Sequence, residues 1–126
     1  MLLIASPAAN GEELGVALNN VAHEFAVCAA YYSIVSVALD MSDDPELARA
    51  YHQQTQQALR LAIGTGERIG LMKETTASRF RIAIEQMRER IDANTSNLSI
   101  LTEEHFTPCL DLMDRPNYRV DYWLAN

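Results

Sequence analysis

Three histidines, two cysteines and one glutamate set in an apolar run are the side chains of this sequence best suited to chemistry. His23 stands beside Glu24, His105 follows Glu104, and His52 stands apart from any acid. A di-iron or di-manganese helical site would draw on Glu-x-x-His pairs projecting inward. No histidine here follows a glutamate by three residues, and adjacent residues on a helix point in different directions. No metal site is therefore expected. His23 and His52 read as surface or boundary residues, and His105 as a residue near a helix end. Covalent haem attachment would need Cys-x-x-Cys-His, which is absent. GTGERIG at 64–70 lacks the Gly-Lys-Ser/Thr ending of a phosphate-cradling loop. No cofactor is expected.

A nucleophilic role would fall to a cysteine near a histidine. Cys28 lies in the most apolar stretch of the chain, where a thiolate is disfavoured. Cys109 follows His105 by four residues, but Pro108 sits between them and no catalytic signature surrounds the pair. No catalytic residue is assigned. Glu24 is the one carboxylate on its apolar run. A buried acid with a raised pKa is one reading. The other is a residue at the solvent edge of its helix, or one paired with an arginine of the second or third helix. Tyr31 and Tyr32 put one aromatic ring on each of two apolar stripes. With Val27 and Ile34 they mark an interface with a second copy or a pocket for a small apolar ligand. Core packing with satisfied hydroxyls is the alternative.

The element that must carry most of these residues runs from Gly11 to Asp40. Asn10 reads as its N-cap, with Glu12 and Glu13 favourable in the first turn. Leu14, Leu18, Val21, Phe25, Cys28, Tyr32, Val35 and Leu39 recur at alternating spacings of four and three, a seam that faces partner helices. A second stripe of Val27, Tyr31, Ile34, Ala38 and Met41 begins halfway. The C-terminal half thus has two apolar faces, which call for several neighbouring helices or a second subunit.

Asp44-Pro45 starts helix 2 as an N-cap followed by proline at the first helical position. That helix runs to between Ile63 and Gly70. Helix 3 begins between Lys73 and Thr76, with a seam of Phe80, Ile84, Met87 and Ile91. Asn94-Thr95-Ser96-Asn97 combines helix-ending and N-capping residues. Either the chain turns there and a fourth helix runs to about Asp114, or one long helix passes through. The tail from Asn117 to Asn126 is aromatic and packs on the bundle.

The cysteines bear on that choice. At about 1.5 Å of rise per residue, an unbroken third helix would put Cys109 about 30 Å above Cys28. A turn at 94–97 returns it to within about one helical turn. A Cys28–Cys109 disulfide and an antiparallel up-down-up-down four-helix bundle therefore stand or fall together. Two buried free thiols and three long helices form the alternative.

Composition bounds the rest. At 126 residues the chain is one domain, large enough to bury a core without metal or disulfide. Its net charge of −7 argues against nucleic acid. The charge is unevenly spread: residues 1–48 carry seven acids and no Lys or Arg, whereas 49–90 carry eight bases and four acids. The bias of Arg over Lys looks bacterial. Asn94-Thr95-Ser96 and Asn97-Leu98-Ser99 match the glycosylation acceptor pattern, which is frequent by chance. Residues 1–9 read as either a signal-peptide remnant, which would make the protein exported and periplasmic, or an apolar arm. The uncharged run from Phe25 to Leu39 is fifteen residues, short of a bilayer span.

The expectation is an all-α protein acting through protein–protein contacts or self-association as a dimer. Binding of a small apolar ligand inside the bundle is the second expectation, and enzymatic activity a distant third.

Overall fold

The computed structural model describes residues 10–126; the apolar segment 1–9, read as a signal remnant or arm, lies outside the described residues. The described chain is all-helical. Its order is α1 (Gly11–Asp40), α2 (Pro45–Glu67), α3 (Lys73–Arg90), a 3-10 turn (Thr95–Asn97), α4 (Leu98–Asp114) and α5 (Pro116–Ala125).

The helix boundaries follow from local chemistry. Asn10 and Glu13 form a capping box: the Asn10 carboxamide oxygen accepts from the Glu13 N–H at 2.8 Å, and the Glu13 carboxylate accepts from the Asn10 N–H at 3.2 Å. The Asp44 carboxylate likewise accepts from the Leu47 N–H at the start of α2, where Pro45 supplies a preset φ. GTGERIG contains both a helix end and a turn. Gly64 and Gly66 lie inside α2, the Gly66 carbonyl accepts from the N–H groups of Ile69 and Leu71, and Gly70 has a φ of +81°. That left-handed conformation suits glycine and turns the chain into α3.

The third helix does end. Ile91 is followed by two left-handed residues, Asp92 (φ 54°) and Ala93 (φ 53°). The Asn94 carboxamide oxygen then accepts from the N–H and hydroxyl of Ser96, and the Asn97 side chain donates to the Ile91 carbonyl. Short polar side chains that bond their own backbone compete with helix continuation. The long-helix alternative therefore fails at this point.

The helix count differs from expectation. The aromatic tail is itself a helix, so the described residues form five α-helices rather than four. Arg115 leaves the helical region (φ −138°, ψ 64°), which the α region's disfavour before a proline promotes, and Pro116 takes the first position of α5.

α1 is the centre of the molecule, and every other helix packs on it, α2 most extensively. Its seam is buried along most of its length, from Leu18 through Val21, Phe25, Cys28 and Tyr32 to Val35. Small residues permit the close approach of α2: Ala26, Ala29 and Ala30 of α1 and Ala58 and Ala62 of α2 are all fully buried. Pairs between helices give the layout. Tyr32 meets Tyr51 and Asp40 meets His52 between α1 and α2. Asn19 meets Arg79 between α1 and α3, and Tyr31 meets His105 between α1 and α4.

By length and composition α1 as a whole is apolar enough to cross a membrane, although its uncharged run alone is too short. Most of its apolar window is buried against the other helices, as in the core helix of a folded bundle.

Candidate functional site

A cleft of about 650 Å³ opens between α1, α4 and α5. Its floor and walls include Val27 and Cys28 of α1, Pro108, Cys109 and Leu112 of α4, and the rings of Tyr118 and Tyr122 on α5. Most of that lining is apolar. Polar groups come from Glu24, His105, Thr107, Asp111, Arg115 and Arg119, together with the two tyrosine hydroxyls.

Cys28 and Cys109 form the deepest link. Their sulfurs are at disulfide distance, their Cα atoms stand 5.6 Å apart, and no free cysteine remains. The turn at 94–97 makes this pairing attainable, because it sends α4 back along α1. Joined in this way, neither sulfur offers a thiolate to a substrate.

Glu24 forms one wall with Arg119. The arginine Nε donates to both carboxylate oxygens at 2.9 and 3.0 Å, and Nη2 donates to Oε2 at 2.7 Å. Of the readings open for Glu24, a buried acid, a residue at the solvent edge, or a partner of an arginine on the second or third helix, the ion pair is the one that forms. Its partner is instead on α5, because the tail folds back as a helix across the face of α1 that carries Glu24. The bonded carboxylate holds Arg119 protonated even more firmly than usual. The guanidinium also lies over the Tyr122 ring at 4.2 Å and near the Trp123 ring at 5.1 Å.

The same arrangement recurs one turn earlier. Arg115 lies over the Tyr118 ring at 4.5 Å, and its Nη2 is 3.6 Å from Asp111 Oδ1. The repeat is visible in the sequence as Arg115-x-x-Tyr118 followed directly by Arg119-x-x-Tyr122. Helical spacing of three residues sets each cation over the ring one turn on. The sequence reading treated these residues only as an aromatic tail, and that repeated pattern was the available signal.

His105 links the cleft to the core. Its ring stacks at 5.7 Å from Tyr31 and lines both the large cleft and a smaller hollow of about 210 Å³. Burial lowers its pKa below the usual imidazole value, against a smaller opposing pull from Glu104. At neutral pH the ring is therefore uncharged.

Compared with known proteins, this chain matches no family model, no curated protein and no solved structure.

The residues singled out from sequence separate into two groups. Cys28, Cys109 and Val27 meet in the cleft, and Val27 also lines the smaller hollow beside Met87. Tyr31 and Tyr32 lie in the core, 1% and 6% exposed, with ring centroids 5.5 Å apart. The Tyr31 hydroxyl reaches the Thr102 hydroxyl at 3.5 Å. Burial and the neighbouring Tyr31 and Tyr51 push the Tyr32 phenol up to about 12. Ile34 is half-buried against the same core. Among the described residues, no three His, Cys, Asp or Glu side chains gather into a group that could hold a metal ion.

Proposed function

We propose that this protein is a non-enzymatic helical binding protein that takes a small, largely apolar molecule into the cleft between α1, α4 and α5. The cleft itself carries the reading. It measures about 650 Å³, is mostly apolar and has a few polar groups at fixed positions. Small-molecule sites are typically clefts of about 300–1,000 Å³ with that lining. α1 to α4 read as an antiparallel bundle, with α5 as the added helix that walls the cleft. The paired sulfurs and the Glu24 carboxylate, both of whose oxygens are engaged, favour binding over turnover. A disulfide also favours an oxidising compartment, in keeping with an exported protein.

A second reading, contact with another protein or a second copy, draws on a different observation. Phe106 and Leu110 on α4 and Tyr118 and Tyr122 on α5 are large apolar side chains left exposed. Aromatic residues and arginine are enriched at contact surfaces.

Titration of the oxidised full chain with the neutral fluorophore N-phenyl-1-naphthylamine separates the two. The expected result is one saturable site per chain, lost in Val27→Trp while the helical circular dichroism is retained. Absence of saturable binding, with a dimer by light scattering that dissociates in Leu110→Glu, would replace the ligand reading with the contact reading.

A further inference from the structure

Resting on the cleft reading above, we infer that the ligand is uncharged: among the described residues the wall presents two ion pairs, each acid facing its own arginine, and no carboxylate or guanidinium left without a counter-charge. Glu24 and Asp111 bring two negative charges, and Arg119 and Arg115 bring two positive charges. Each acid already faces its own arginine. Both oxygens of Glu24 are engaged by Arg119, and Arg115 Nη2 lies 3.6 Å from Asp111.

An anionic ligand would have to share or take an arginine that an acid already engages. If it took Arg119, Glu24 would be left uncompensated in a position where only 23% of its side chain is exposed. Leaving a partly buried charge without its partner is costly. The chain's net charge of −7 repels anions and attracts cations at long range, so the exclusion of cations rests on the wall itself. A cationic ligand meets the opposite obstacle. The rings that would attract it, Tyr118 and Tyr122, each already carry a guanidinium at 4.5 Å and 4.2 Å. His105, neutral at physiological pH, supplies a polar contact without charge. An uncharged apolar chain or ring loses little hydration on entering and gains contact with Val27, Pro108, Leu112 and the tyrosine rings.

Three competitors of matched length test this against bound N-phenyl-1-naphthylamine at pH 7.5: n-decanol, decanoate and decylammonium. Decanol is expected to displace the fluorophore, with each ion at least about tenfold weaker. Decanoate or decylammonium competing as well as decanol would overturn the charge selectivity and leave the cleft reading standing. Failure of all three to displace a bound fluorophore would do the same. If the fluorophore itself does not bind, both readings fall.

Asp111→Asn adds an independent arm at an exposed position. It frees Arg115, so decanoate binding is expected to strengthen by about fivefold or more while decanol stays within about twofold. Unchanged decanoate binding in that variant would show that ion pairing is not what excludes anions.

Discussion

Arg119 grips Glu24 through three hydrogen bonds of 2.7 to 3.0 Å across 95 residues of sequence, and in doing so ties the last helix to the first. Because the same guanidinium lies over Tyr122, the ion pair also orders the aromatic wall of the cleft. Loss of the pair should therefore register both in stability and in the mobility of α5.

Glu24→Gln is expected to destabilise the protein by about 1–2 kcal/mol, the range for a charge-assisted hydrogen bond discounted for partial exposure. Urea unfolding of Glu24→Gln, Arg119→Gln and the double variant measures the coupling. Strict additivity of the two single effects would show that the pair does not act as a unit.

The Cys28–Cys109 link closes 81 residues of sequence. Intact mass after alkylation without reductant should show no label and a chain two hydrogens light. Reduction should lower stability by about 2–5 kcal/mol, and the paired variant Cys28→Ala/Cys109→Ala should fall in the same range. Quantitative labelling of both thiols in the native, unreduced protein would contradict the pairing.

Acid should weaken the fold earlier than the carboxylates alone would allow. Burial lowers the pKa of His105, and burial together with Arg79 lowers that of His23. The unfolded chain, with histidines near 6.5, then binds protons more readily than the folded one. Stability from these groups is fully present above about pH 6.5 and declines as pH falls toward the lowered folded values. Thermal melts between pH 7.5 and 5.5 should show this slope, and His105→Asn should flatten it. His23→Asn should act less, since His23 is the more exposed of the two. An unchanged slope in both variants would assign the effect elsewhere.

Gly64, inside α2, and Gly70, in the α2–α3 connection, should respond in opposite directions to alanine. Gly64 is helical, exposed and has open space where a Cβ would go, so Gly64→Ala should stabilise by about 0.5–1 kcal/mol. Gly70 has a φ of +81°, so Gly70→Ala should cost about 1–2 kcal/mol. Denaturant midpoints of the two variants decide this, and a shift of the same sign in both would refute it.

Much of the secondary structure was legible because its signals are local. The Asn10 cap, the Asp44-Pro45 start and the Asn94–Asn97 break each depend on side chains bonding backbone within a few residues. The fifth helix was missed for a related reason. Pro116 marked a break, but the aromatic run after it lacks a stripe long enough to identify a helix. The cleft was less legible. Tyr31 and Tyr32 stood out by type yet pack in the core, whereas Tyr118 and Tyr122 form its wall.

The sequence by itself determined the helical class and the extent of α1, and it tied a Cys28–Cys109 pairing to a turn at 94–97 while leaving that turn and one long third helix both open. These rest on periodicity, capping and helical rise, which act along the chain. Only the tertiary structure decided that Glu24 meets Arg119 and that two arginine–tyrosine stacks line one cleft. Those outcomes depend on where α5 docks. A ten-residue amphipathic helix can lie against several surfaces, and its place is chosen by packing and ion pairing between residues far apart in sequence.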